Sequence, residues 1–302
     1  MLKSTYPILC VTMNKVSDLK LALACHAAGI VPSLSVYSNT EFVENSENYY
    51  NNEAINELDE FIEKTSSNEI SFAFQANLLH NDSFFNQILK SKNRLIEIID
   101  WRKENIKDNK ILDRIISLQS QNKKVGLKIN TNKLMLLRNA DPRNLILLVD
   151  YYLLKGSEGA GQVGSETIDD LTAGIRKETS KDLIATGGVS TSADINRLMA
   201  LGANAVGIGT LFAMSEESRI PKDVKLSLLE KTKNDIIKVN GTHRGIMFSH
   251  VEEHSNDNLD KSLVRGIETG KEGHINMGNA ILNINEVLPL KDIVSLLVKD
   301  LK

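Results

Sequence analysis

The chain has 302 residues, 41% hydrophobic, 25% charged and 5% aromatic, which excludes disordered and fibrous classes and allows a large buried core. Against 36 Lys and Arg stand 39 Asp and Glu, a formal net charge of -3, so no broad positive field is present to draw a nucleic acid. The opening MLKSTYPILCVTMNKVSD carries too short an apolar run for a signal peptide, and Leu145–Leu154, broken by Asp150, is far shorter than a membrane span. The expectation is a cytoplasmic protein without a membrane or nucleic-acid partner. Cys10 and Cys25 stand in apolar stretches without CxxC spacing and read as reduced core thiols.

Short apolar runs alternate with segments of helical period up to about residue 215. The predicted strands are Pro7–Thr12, Val31–Tyr37, Ile70–Asn77, Leu95–Asp100, Lys124–Asn130, Leu145–Lys155, Leu183–Thr186 and Ala205–Ile208. Helices are predicted between them at Val16–Ala28, Ile55–Lys64, Ile111–Gln121, Thr167–Glu178 and Ser192–Leu201, while the Asn-rich stretch Asn39–Glu53 reads as a loop. Each crossover is long enough for a right-handed parallel connection. Eight such strands are the count of a closed barrel; an open doubly wound sheet fits the same periodicity and is the less favoured reading.

Within a barrel, alternate side chains face the helices and the axis. In the fifth strand Val125, Leu127 and Ile129 fall on the outer face, leaving Gly126, Lys128 and Asn130 inward. In the third, Phe72, Phe74 and Ala76 face outward, and Ala73, Gln75 and Asn77 inward. Polar side chains thus converge at the carboxyl ends of the strands, where barrel sites lie.

Beyond residue 215 a helix is predicted over Lys222–Val239, a polar, Gly-containing stretch over Asn240–Gly278, and an amphipathic helix over Leu290–Leu301. The organisation predicted is α/β: a (β/α)8 TIM barrel over 1–215 and a C-terminal helical extension over 216–302, packed on it as one unit. The extension covers the barrel mouth or makes a homodimer contact. Its His243, His250, His254 and His274 read as surface residues.

The strongest motif is IATGGVSTSADINRLMALGANAVGIGTLF, residues 184–212. Its two strand ends, Gly187-Gly188 and Gly209-Thr210, are separated by one helix, so main-chain amides whose glycines lack a shielding Cβ can cup an anion. The loop LLKGSEGAGQVGSET, residues 153–167, satisfies GxGxxG literally, but the strand after it ends in Thr and Gly rather than an acidic residue. Its glycines read better as a flat bed for a bound ring, with Lys155 or Gln162 hydrogen-bonding to it. His250-Val-Glu-Glu-His254 fits an inverted zinc-protease pattern and reads as a chance match, so no metal site is expected.

These blocks, with PILCVTM and AAGI at the front, FAFQANLL in the third strand and EGHINMGNAILNINEV near the end, resemble the nitronate monooxygenase family (formerly 2-nitropropane dioxygenases) and the related flavin-dependent enoyl-ACP reductases. The resemblance implies an FMN-binding TIM barrel acting on a small molecule, with NAD(P)H a candidate electron donor. It implies that Gly188 and Gly207, Ile208, Gly209 and Thr210 hold the FMN phosphate and that Asn77 reaches the phosphate or ribityl end. Lys155, Gly156 and the turn Gly159–Gly161 would lie along the flavin, with the Met13 backbone near its ring. The family loop usually reads EAGGH or ESGGH, its histidine serving as general acid or base, whereas this chain has EGAGQ and Gln162. An amide transfers no proton near neutral pH, and that assistance is worth about 10² to 10⁴ in rate. Gln162 and Lys128 are the candidate catalytic residues, with Lys155 or Glu158 as other proton carriers. The expected function is therefore a nitronate monooxygenase-like FMN oxidoreductase. The alternatives are an enoyl thioester reductase, an FMN-binding protein without turnover, and a barrel lyase or isomerase using Lys128 on a sugar phosphate.

Overall fold

The computed structural model describes residues 2–36, 52–130, 144–239, 243–248 and 256–301. Eight parallel strands, β1 (Ile8–Cys10), β2 (Ser33–Ser35), β3 (Ser71–Gln75), β4 (Leu95–Asp100), β5 (Lys124–Ile129), β6 (Tyr151–Lys155), β7 (Asp182–Thr186) and β8 (Ala205–Ile208), form one sheet in the order β1-β8-β7-β6-β5-β4-β3-β2. A parallel bridge between Leu9 and Val31 closes it: the Cys10 N–H donates to the Val31 carbonyl at 2.8 Å and the Val31 N–H to Ile8 at 3.0 Å. The closed (β/α)8 barrel follows, because parallel neighbours need crossovers and the crossovers here are helices.

The surrounding helices are α1 (Leu19–Ala27), α2 (Asn52–Thr65), α3 (Asp82–Lys90), α4 (Asn109–Ser120), the single turn α5 (Leu145–Leu148), α6 (Ile168–Glu178) and α7 (Ser192–Ala200). Most start at a polar cap: Asp18, Asn81, Asp108, Thr167 and Thr191 each accept from an N–H of the first turn. Strand alternation divides the core in two. Phe72, Phe74, Ile96, Ile98, Val125, Leu127 and Ile129 pack against the helices, while Leu9, Val31, Leu95, Tyr151, Leu153, Ile184 and Ala205 form a separate cluster that plugs the barrel. Gly126 makes space for that plug, since a Cβ there would lie 2.2 Å from the Tyr151 ring. The Tyr151 hydroxyl donates to the Ile96 carbonyl at 2.9 Å, so its polar end is satisfied inside the barrel.

Three sequence expectations are corrected. Leu145–Lys155 is not one strand: Asn144 accepts from the N–H groups of Ile146 and Leu147 and starts α5, and β6 begins only at Tyr151. An apolar run by itself does not distinguish the two states. The third strand stops at Gln75, where a 3-10 turn over Ala76–His80 begins. The helix expected to Val239 ends at Leu229, and Ile236–Val239 is a strand, as its β-branched residues favour. Tyr37, the end of the second predicted strand, and the expected loop up to residue 51 lie outside the described residues.

After β8 come α8 (Thr210–Ala213), α9 (Lys222–Leu229), β9 (Ile236–Val239), β10 (His243–Met247), α10 (Asn256–Thr269), β11 (His274–Ile275) and α11 (Leu290–Val298). These residues therefore hold a second, antiparallel sheet, where the sequence suggested helices alone. β9 pairs along β10 from Ile236–Ile246 to Val239–His243. The other side of β10 pairs with β11 and with the two-residue strand Gly161–Gln162. α11 packs on α1, α7 and α8 and completes the outer ring. Cys10 and Cys25 are buried free thiols, and among the described residues no helix is long and apolar enough to cross a membrane.

Candidate active site

Above the apolar plug the barrel opens into a cavity of about 740 Å³ at the carboxyl ends of the strands. Gln75 of β3, Glu97 of β4, Lys128 of β5, Lys155 of β6 and Thr186 of β7 line its lower wall. Across from them α10 contributes Leu263, Val264 and Ile267, so the space has a charged side and an apolar side. That is the make-up of a site for a small, partly apolar ligand with a few polar anchors.

Glu97 is buried at the floor beside the hydroxyls of Ser71 and Thr12. Burial pushes its carboxyl up to about 7, with the Lys128 ammonium pulling the other way. Burial also holds the Lys155 amine well below the usual lysine range, and repulsion from Lys128 adds to that. Binding an anion between these two amines would restore the charge that burial disfavours.

The glycines at the ends of β7 and β8, where an anion cup is expected, stand on the same wall. Gly188 has φ +71°, a conformation open to glycine, and a Cβ there would lie 2.9 Å from that of Glu158. At Gly207 a Cβ would lie 2.6 Å from a Val11 methyl. The amides of Gly188, Val189 and Gly209 donate to no backbone carbonyl among the described residues. The start of α7 is already closed, because Asp194 accepts from the N–H groups of Ser190 and Thr191 at 3.0 Å.

The loop after β6 forms the next part of the wall and is held by the C-terminal residues. Arg244 donates to the Ser157 carbonyl at 2.7 Å and to the Asn279 side chain, while the Asn279 N–H donates to Glu158 at 2.9 Å. The Gly278 N–H donates to the Thr210 hydroxyl at 3.0 Å, tying the same chain to the cup. Glu158 is committed elsewhere: its carboxylate accepts from the Ile168 N–H and caps α6, so it is not in the cavity lining.

Of the predicted site residues, Met13, Lys128, Lys155, Gly159, Gly161, Gln162, Gly188, Gly207, Ile208, Gly209 and Thr210 all line the cavity. Asn77 and Gly156 do not. The 3-10 turn carries Asn77 away from the strand line, where its carbonyl oxygen accepts from Asn105 at 2.7 Å. Gly156 lies behind the wall, its N–H on the Thr186 carbonyl at 3.0 Å. Two histidines expected at the surface are inside instead. His274 is 1% exposed and hydrogen-bonds Ser262 at 2.8 Å. His243 lines the cavity directly opposite Gln162 in the strand pair, and burial followed by the charges of Lys155 and Lys128 lowers its proton affinity. His250 and His254 lie outside the described residues, among which no cluster of His, Cys, Asp and Glu suits a metal ion. Glu97 and Asn276, also in the wall, were not singled out by the sequence. Glu97 was legible as the inward position between Leu95 and Ile99 of an alternating strand.

A family model described as nitronate monooxygenase matches residues 139–300. FabK from Thermotoga maritima superposes with a TM-score of 0.76 at 20% identity, covering 99% of this chain and 93% of that one. Nitroalkane oxidase from Streptomyces ansochromogenes gives 0.72 at 15% identity, covering 99% and 96%. At these identities the likeness establishes a shared fold. No curated protein sequence matches.

Proposed function

The chain belongs to the nitronate monooxygenase family, and on that premise we propose that it is an FMN-dependent oxidoreductase acting on a small nitronate-like substrate. The observation that carries this reading is the glycine cup at the ends of β7 and β8, opening on a cavity of about 740 Å³. The residues present fit the cofactor. Gly188, Gly207 and Gly209 present no Cβ where a phosphate would sit, and one buried acceptor in the cavity wall, Asn276 Oδ1, lacks a partner among the described residues. A ring or side chain bearing an N–H or hydroxyl donor would satisfy it.

Gly188, Gly207, Gly209 and Thr210 would hold the phosphate, with Met13, Lys155, Gly159 and Gly161 along the remainder of the cofactor. FMN supplies reversible electron and hydride acceptance, which no side chain here provides. The chain's own part is to bind, orient and shield. Lys128 and Lys155 present positive charge to an anionic substrate, α10 offers its apolar face to an alkyl group, and Gln162 donates a hydrogen bond to a nitro or carbonyl oxygen.

The test is titration of the purified protein with FMN, followed by oxygen uptake with alkyl nitronates and NAD(P)H consumption with enoyl thioesters. Saturable quenching of flavin fluorescence and nitronate-dependent oxygen uptake are expected. Absence of binding would remove the cofactor assignment, and thioester-dependent NAD(P)H consumption alone would move the assignment to reduction of activated alkenes.

A further inference from the structure

We propose that Lys155 is a covalent capture site, its amine condensing with the carbonyl carbon of a small 2-oxo carboxylic acid to form an imine. This goes beyond the functional reading above and needs no bound FMN.

Two amines meet inside the barrel. Lys128 and Lys155 stand at inward positions near the carboxyl ends of β5 and β6, which pair directly, with Lys128 opposite Leu153 and Lys155 one inward step further on. Both line the cavity, and their side chains hydrogen-bond to each other. An ammonium group has donors and no acceptor, so such a bond requires that one member be the neutral amine. Burial, followed by the charge of Lys128, selects Lys155 for that form. A neutral lysine amine beside a second cation is the form that attacks a carbonyl carbon.

The space before the amine suits the rest of the ligand. A Cβ at Gly161 would lie 3.7 Å from the Lys155 Nζ and 3.6 Å from the Asn276 Nδ2, so the glycine leaves amine and amide facing one gap. The Asn276 Oδ1 is buried and lacks a partner among the described residues. The hydroxyl of a carbinolamine on Lys155 would donate to it. The Lys128 ammonium offers its charge to the carboxylate, and Leu263, Val264 and Ile267 of α10 offer an apolar wall to the alkyl tail. A neutral ketone would gain the apolar contact alone.

The step balances without an oxidant or reductant. The Lys155 lone pair forms the C–N bond as the carbonyl π bond breaks, and the oxygen takes a proton from the Lys128 ammonium. The proton shed by the attacking nitrogen returns to Lys128. The carbinolamine then loses its hydroxyl with one further proton as water, leaving a C=N bond, and the carboxylate offsets the charge on the protonated imine.

The experiment incubates the full-length protein with 2-oxobutanoate and sodium cyanoborohydride, which reduces an imine to a stable secondary amine, and locates the modified peptide by mass spectrometry. A single adduct on Lys155 is expected. Lys155→Met should lose it. Lys128→Met should slow it about tenfold at pH 7, because each unit by which the neighbouring charge lowers basicity is tenfold in free amine. The neutral 2-butanone should be trapped about tenfold more slowly than 2-oxobutanoate, the worth of one hydrogen bond to a charged group. Label spread over surface lysines, Lys128→Met trapping as fast as wild type, or equal rates with the two ketones would each overturn the proposal. The adduct map and the ketone comparison use the unaltered chain, so they decide the matter even where a variant fails to fold. Failure to bind FMN would instead strike the functional reading above and leave this site standing.

Discussion

The lower half of the barrel is filled by Leu9, Val31, Leu95, Tyr151, Leu153, Ile184 and Ala205, whereas one side-chain layer higher the same strands place Gln75, Glu97, Lys128 and Lys155 around a cavity. Leu95 and Glu97 are two residues apart on β4, and Leu153 and Lys155 two apart on β6. The β pleat turns both members of each pair inward, so a single step of two residues separates packing from chemistry. The floor can thus be optimised for stability while the layer above keeps buried polar groups that destabilise the fold and serve the ligand.

That division is open to test. The largest effect is expected at the floor. Gly126→Ala drives a methyl into the Tyr151 ring 2.2 Å away and should lower stability by about 3 kcal/mol in urea unfolding, while folded molecules keep wild-type FMN affinity. Loss of affinity without loss of stability would break the comparison.

Glu97, at the boundary, should show a pH signature. Its carboxyl is held at about 7 when folded against a model value of 4.5, so the folded state binds the extra proton. Stability should then fall as pH rises from about 4.5 to 7, by up to about 3 kcal/mol. Glu97→Gln should remove that slope and be more stable than wild type at pH 8, in unfolding midpoints measured from pH 4 to 8. The cup should respond in the opposite sense to the floor. Gly188→Ala, at φ +71°, is expected to weaken FMN binding about 100-fold, the worth of one or two charge-assisted hydrogen bonds, and to cost the fold about 1 kcal/mol. Fluorescence titration and thermal melting separate the two.

The barrel was legible because its information is local. Alternation such as Val125, Leu127 and Ile129 against Gly126 and Lys128 fixes which side chains face the axis, and the glycine pairs mark the last two strand ends. Asn77 was misplaced because the alternation was continued past Gln75, where the backbone leaves the strand. The rim was read least well, since the partner of Gln162 is 81 residues away and no periodicity reports such a pairing. A partial signal was available: Asn240-Gly241 between the β-branched run Ile236–Val239 and His243–Met247 is the dipeptide that favours hairpins. Recognising it would have taken His243 out of the polar surface stretch in which it was expected and placed it in a strand.

The bonds from Gly278 to Thr210 and from Arg244 to Ser157 span 68 and 87 residues. At a translation rate of roughly 5–20 residues per second, the strands bearing the cup leave the ribosome several seconds before the segment that clasps the β6 loop has been made. On the proposed reading, cofactor capture would come late in biosynthesis. A nascent chain stopped short of Gly278 would hold a barrel without its clasp, and a premature stop codon in that stretch would silence the protein while leaving most of its fold encoded.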